Sequence, residues 1–92
     1  MEHLSINEIH DRLEELKGWE MIGHEIAKEF TFNNFKEVME FVHKVGEEAE
    51  RLHHFPDIFI RNNRVSINLT THEANGLTYD DFKLARIIEQ LV

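Results

Sequence analysis

The stretch ERLHHFPDIF, residues 50–59, decides how the chain is read. Its proline, Pro56, is the only one present. Proline fixes φ, lacks an N–H and disfavours α conformation in the residue before it, so a helix arriving from upstream must stop by about Phe55. Such a helix is there: Phe35, Val38, Met39, Val42, Val45, Ala49 and Leu52 recur at spacings of three and four, which marks one apolar face. Asn34 with Glu37 has the form of its N-terminal cap. Downstream the period changes to two. In DIFIRNNRVSINLTTH, Val65, Ile67 and Leu69 alternate with Ser66, Asn68 and Thr70, and Asn62 and Asn63 suit a tight hairpin turn. The stretch is a junction between helix and sheet, with His53 and His54 on what reads as the last helical turn.

Working outward, Ser5 and Glu8 form a capping-box pattern for a first helix through Ile6, Ile9, Leu13 and Leu16, which Gly18 can stop. Trp19 to Phe32 reads as a hairpin turning near Gly23 and His24, with Ile26, Lys28, Phe30 and Phe32 on one face. After the second hairpin, THEANGL reads as a loop. Thr78 with Asp81 then opens a third helix carrying Phe82, Ala85, Ile88 and Val92, with Leu84 and Leu91 flanking. The order is α-β-β-α-β-β-α. One-sided helices and alternating strands are satisfied together by an α+β fold: a four-stranded antiparallel sheet with three helices packed on one face. Residues 1–92 form a single domain in this reading, and Ile87 and Leu91 are left to cover a subunit contact.

Composition removes several function classes. Ten basic against 18 acidic residues give a net charge of −8 with histidine neutral, which opposes a phosphate backbone, so no direct nucleic-acid binding is expected. There is no cysteine, hence neither a disulfide framework nor a thiolate metal site. No apolar run is long enough to span a bilayer and the start is acidic and amphipathic, so no membrane association is expected and the cytoplasm is the expected compartment.

The candidate chemistry lies at the junction. Glu50 sits beside the buried stripe, His53 and His54 follow within the next turn, and His72 ends the fourth expected strand. Imidazoles with a carboxylate nearby can move protons both ways near neutral pH. No nucleophile accompanies them. Each ring also has a plainer reading as a surface cap. His53, His54, His72 and Asp57 are formal metal ligands, but adjacent residues of one helix point about 100° apart, so no metal is expected; no cofactor is expected either. His43 and Glu47 read as a solvated pair four residues apart.

The segment AERLHHFPDIF, with RVSINLTTHEANGLTYDDFKLARIIEQL after it and LKGW and KEFTFNNF before it, resembles the pterin-4a-carbinolamine dehydratase family over nearly the whole chain. The resemblance implies a dehydratase that converts 4a-hydroxytetrahydropterin to quinonoid dihydropterin and water, recycling the pterin of aromatic amino acid hydroxylases. It implies Glu50, His54 and His72 as catalytic residues, with Pro56 and Asp81 at the pterin substrate; Phe55 and His53 are expected around the pterin from their place beside these residues, not from the resemblance. It also implies a homodimer or homotetramer. Two positions depart from the family: Phe55 stands where a second histidine precedes the proline, and Asn62 where Tyr or Trp is usual. His53 stands where Asp or Asn is more frequent. Phe55 retains an aromatic wall for a flat ring while losing a hydrogen bond. The competing expectation is a catalytically impaired oligomeric scaffold of the same fold that binds another protein.

Overall fold

A computed structural model describes residues 2–92 of the chain. The elements are α1 (Ile6–Glu14), β1 (Glu20–Ile22), β2 (Glu25–Thr31), α2 (Phe35–Leu52), β3 (Asp57–Arg61), β4 (Arg64–Leu69), a 3-10 turn (His72–Ala74) and α3 (Tyr79–Glu89). This is the expected order. The strands form one antiparallel sheet in the order β1-β2-β4-β3. Both hairpins close through loops between paired residues, Ile22 with Glu25 and Arg61 with Arg64. Gly23 (φ 61°) and Asn62 (φ 53°) take the left-handed conformation at the first loop position, which glycine and asparagine reach most easily.

Strand alternation then sorts the side chains. Ile26, Phe30, Val65, Ile67 and Leu69 are buried beneath the helices, while Ser66 and Asn68 lie on the open face. The three helices cover the first face, and Val38, Phe41, Val45, Phe82, Leu84, Ala85 and Ile88 join the same core. No described helix is long and apolar enough to cross a membrane.

Several details differ from the sequence reading. α1 ends at Glu14 rather than near Gly18, because Glu15 and Leu16 turn back onto Arg12 and Leu13 with tighter hydrogen bonds; Leu16 still reaches the core. The buried line of α2 is Val38, Phe41, Val45 and Ala49. Phe35 and Met39, expected on that line, are 52% and 43% exposed. A stripe of seven apolar residues is wider than the contact available, and the large Phe41 ring takes the inward place against Phe30 and Phe32. Ile6 and Val92 are exposed as well. Ile87 and Leu91, left for a subunit contact, pack half-buried against the chain's own core.

A polar clip holds the far end of the molecule. The Trp19 indole N–H (2.9 Å) and Lys28 Nζ (2.7 Å) both donate to Glu89 Oε2, and Lys28 also donates to the Lys17 carbonyl. This ties the α1–β1 connection and β2 to the end of α3.

Candidate active site

The site is assembled where α2 ends, β4 ends and α3 begins. α2 stops at Leu52 because His53 adopts the left-handed conformation (φ 54°, ψ 42°). The His54 N–H then reaches back to the Ala49 carbonyl and the His53 N–H to that of Glu50, a double closure that satisfies the free carbonyls of the last turn. His53 and His54 therefore do not share a helical turn, as the sequence reading had them. The His53 ring stands edge-on to Phe55, centroids 5.2 Å apart. His54 turns inward instead.

His54 meets Asp81. Its Nε2 lies 2.6 Å from Asp81 Oδ1. A carboxylate oxygen only accepts, so Nε2 carries a proton and donates it, and Nδ1 is the ring nitrogen that this bond leaves uncommitted. Asp81 has no exposed surface. Burying a carboxylate is costly unless its lone pairs are occupied, and here they are: Oδ2 accepts from the Thr71 hydroxyl (2.8 Å) and the Thr78 N–H (2.9 Å). Asp81 also lies in the first turn of α3, where the aligned peptide dipoles favour negative charge.

His72 starts the 3-10 turn after β4 and is exposed. His53, His54, Phe55, Thr70, Thr71, His72 and Glu73 line one cleft of about 120 Å³. So two of the three residues expected to be catalytic, His54 and His72, share a cleft, together with His53 and Phe55 from the expected binding set. Glu50 does not line it. It is exposed and lines an adjoining groove of about 800 Å³ with Phe55, Pro56, Ala49 and Ile58. Phe55 separates the two spaces and borders both. The carboxylate hydrogen-bonded to an imidazole here is Asp81, which stands behind His54 and not in the cleft wall. His43 and Glu47 are an exposed pair 3.7 Å apart. Among the described residues no three His, Asp or Glu side chains gather as a metal-binding group.

Sequence reasoning missed Thr71. Thr78 was legible only as a helix cap, and nothing local in the sequence says that Thr71 turns inward to the same carboxylate.

The family model for pterin 4 alpha carbinolamine dehydratase matches residues 2–91. The chain belongs to that family. A Thermomicrobium roseum protein named "Putative pterin-4-alpha-carbinolamine dehydratase" is 49% identical over 79 residues, covering 86% of this chain and 85% of that one. One of the same name from Sulfurisphaera tokodaii is 41% identical over 92 residues, covering 100% of this chain and 99% of that protein. Among solved structures, the crystal structure of a "transcriptional coactivator/pterin dehydratase" from Brucella melitensis superposes with a TM-score of 0.94 at 33% identity, covering 97% of each chain. The α-β-β-α-β-β-α architecture is thus that of the pterin dehydratase fold.

Proposed function

We propose that this member of the family is a hydro-lyase that dehydrates 4a-hydroxytetrahydropterin to quinonoid dihydropterin, the recycling step after aromatic amino acid hydroxylation. The observation that carries the reading is the pair of imidazoles, His54 and His72, on one small cleft, one of them held by a fully buried carboxylate. The reaction needs one proton taken from N5 and one delivered to the 4a-hydroxyl as its C–O bond breaks, so that water leaves and the ring is unsaturated. One base and one acid suffice. His54 and His72 share these roles, and the Nε2–H bond to Asp81 keeps His54 in the tautomer whose Nδ1 can accept.

A cleft of about 120 Å³ admits the edge of a bicyclic ring rather than a whole ligand, for which pockets of about 300–1,000 Å³ are usual. The rest of the pterin extends past Phe55, which with His53 offers aromatic walls, toward Pro56 and Glu50 in the adjoining groove. Glu50 acts there, on the substrate, and Asp81 acts through His54.

The test is stopped-flow absorbance of chemically generated 4a-hydroxytetrahydropterin with metal-chelated protein, beside His54→Ala and His72→Ala. Acceleration over the uncatalysed dehydration that both substitutions abolish supports the proposal. A folded wild-type protein that gives no acceleration sinks it.

We also propose a homodimer through β3. It is an edge strand that leaves Phe59 60% and Ile60 40% exposed. In DIFIR, antiparallel pairing of two copies about Phe59 sets Asp57 opposite Arg61 of the second copy and Ile58 opposite Ile60, which complements charge and extends the apolar face. Phe35 and Met39 on α2 favour the second reading, a scaffold that docks another protein or a second dimer.

A further inference from the structure

We infer that Thr71 is a positioning residue that locks the His54–Asp81 pair and the His72 turn to each other. Its hydroxyl lies 2.8 Å from Asp81 Oδ2 and 2.8 Å from Thr78 Oγ1. The direction of this chain follows from chemistry. A carboxylate oxygen can only accept, so the Thr71 proton points to Asp81, and the Thr78 hydroxyl must donate to Thr71. Hydrogen bonds strung in one direction polarise one another, more strongly in a dry interior, and Thr71 and Thr78 are only 2% and 6% exposed. The relay Thr78 to Thr71 to Asp81 therefore holds Oδ2, leaving Oδ1 aimed at the His54 N–H.

The backbone of the same residue forms the neck of the turn that carries His72. Thr71 N–H donates to the Gly76 carbonyl (3.1 Å) and the Gly76 N–H to the Thr71 carbonyl (3.4 Å), with Ala74 N–H bonded to that carbonyl as well (3.1 Å). His72 is the first residue beyond this neck. One residue thus sets the carboxylate behind one ring through its side chain and the start of the turn bearing the other ring through its main chain.

Thr71→Val keeps the shape and β-branching that suit the extended Thr71 backbone (φ −115°, ψ 100°) and removes only the relay. Expected are a kcat lowered about 10- to 100-fold with KM changed less than twofold, less than the roughly 10²- to 10⁴-fold contribution of a positioned acid or base because the ring is displaced and not removed, and ¹⁵N imidazole signals of His54 moving from a single Nε2–H form to a mixture. Thr71→Ser restores both. The kinetic consequence rests on the dehydratase reading, whereas the proton's location does not. If the wild type is inactive but Val scrambles the tautomer and Ser restores it, the dehydratase reading fails and the positioning role stands. Unchanged kcat and an unchanged His54 tautomer in the Val variant overturn the role, as does a drop in kcat with the tautomer intact. Should Thr71→Val not fold, the wild-type protein decides: a slowly exchanging Thr71 hydroxyl proton in its NMR spectrum is expected, and a freely exchanging one overturns the relay.

Discussion

Replacing Asp81 with asparagine changes little in shape and much in hydrogen bonding. Three donors converge on the carboxylate: the His54 Nε2–H on Oδ1, and the Thr71 hydroxyl and Thr78 N–H on Oδ2. An amide offers one oxygen. The Thr78 N–H belongs to the backbone and cannot turn away, and the Thr71 proton is directed by the Thr78 hydroxyl, so the amide oxygen stays on their side. The NH₂ group then faces His54, whose Nε2 must give up its proton and accept. The ring inverts its tautomer, and the cleft meets a donor at Nδ1 where it had met a base. Hydrogen bonds to a charged group exceed neutral ones by about 1 kcal/mol each, roughly 3 kcal/mol over these contacts. Relief of the buried carboxylate's desolvation offsets part of that, leaving a net destabilisation of about 1–2 kcal/mol. Turnover above the uncatalysed rate falls about 10²- to 10⁴-fold, the contribution of a positioned acid or base. Urea unfolding, stopped-flow dehydration and ¹⁵N imidazole spectra measure the three effects. Wild-type turnover with an inverted tautomer, or an Nε2–H form that persists in the variant, would refute the reasoning.

Other outcomes follow from the same structure. His53→Gly relieves a left-handed non-glycine residue and raises stability by up to about 1 kcal/mol, while losing the ring beside Phe55 raises KM several-fold; thermal unfolding and steady-state kinetics check the pair, and a less stable variant contradicts the first half. Glu89→Ala leaves the Trp19 N–H and Lys28 Nζ without their shared acceptor and costs about 1–3 kcal/mol of stability with kcat unchanged; chemical denaturation shows it, and a cost near zero means the clip is replaced by water. The Ser5 backbone N–H holds the Glu8 carboxyl below the ordinary carboxylate range. A lowered folded pKa gives stability that is present above the unfolded value and lost as pH falls through the folded one. Protection of the Ser5 amide should therefore persist at neutral pH and vanish in acid, and Glu8→Gln should remove that dependence. Phe59→Asp in β3 places like charge at the centre of the proposed pair and should yield monomers in native mass spectrometry; unaltered dimers would move the interface elsewhere.

How far the sequence reaches is plain at particular residues. The alternation from Ile26 to Phe32 beyond Gly23, the change of period at Pro56, the asparagines at 62 and 63, and the caps at Ser5, Asn34 and Thr78 together determined the element order, because caps, turns and periodicity act through the backbone of a few neighbouring residues. The two rings of the cleft, His54 and His72, were also legible from their segments. What the tertiary structure decided is which side chains meet. Phe41 rather than Phe35 or Met39 faces the core, since strand packing, not helical period, chooses among adjacent apolar positions. His53 leaves the helix in a left-handed turn while His54 folds in, and the carboxylate that meets His54 is Asp81, 27 residues further on, not Glu50, its near neighbour in the chain. That pairing depends on the end of α2 lying against the start of α3, and Thr71 enters only because β4 delivers its hydroxyl to the same buried point. Local sequence sets backbone angles and faces. The partner of a buried charge is set by which ends the packed core brings together, where desolvation penalises every carboxylate arrangement but the fully bonded one.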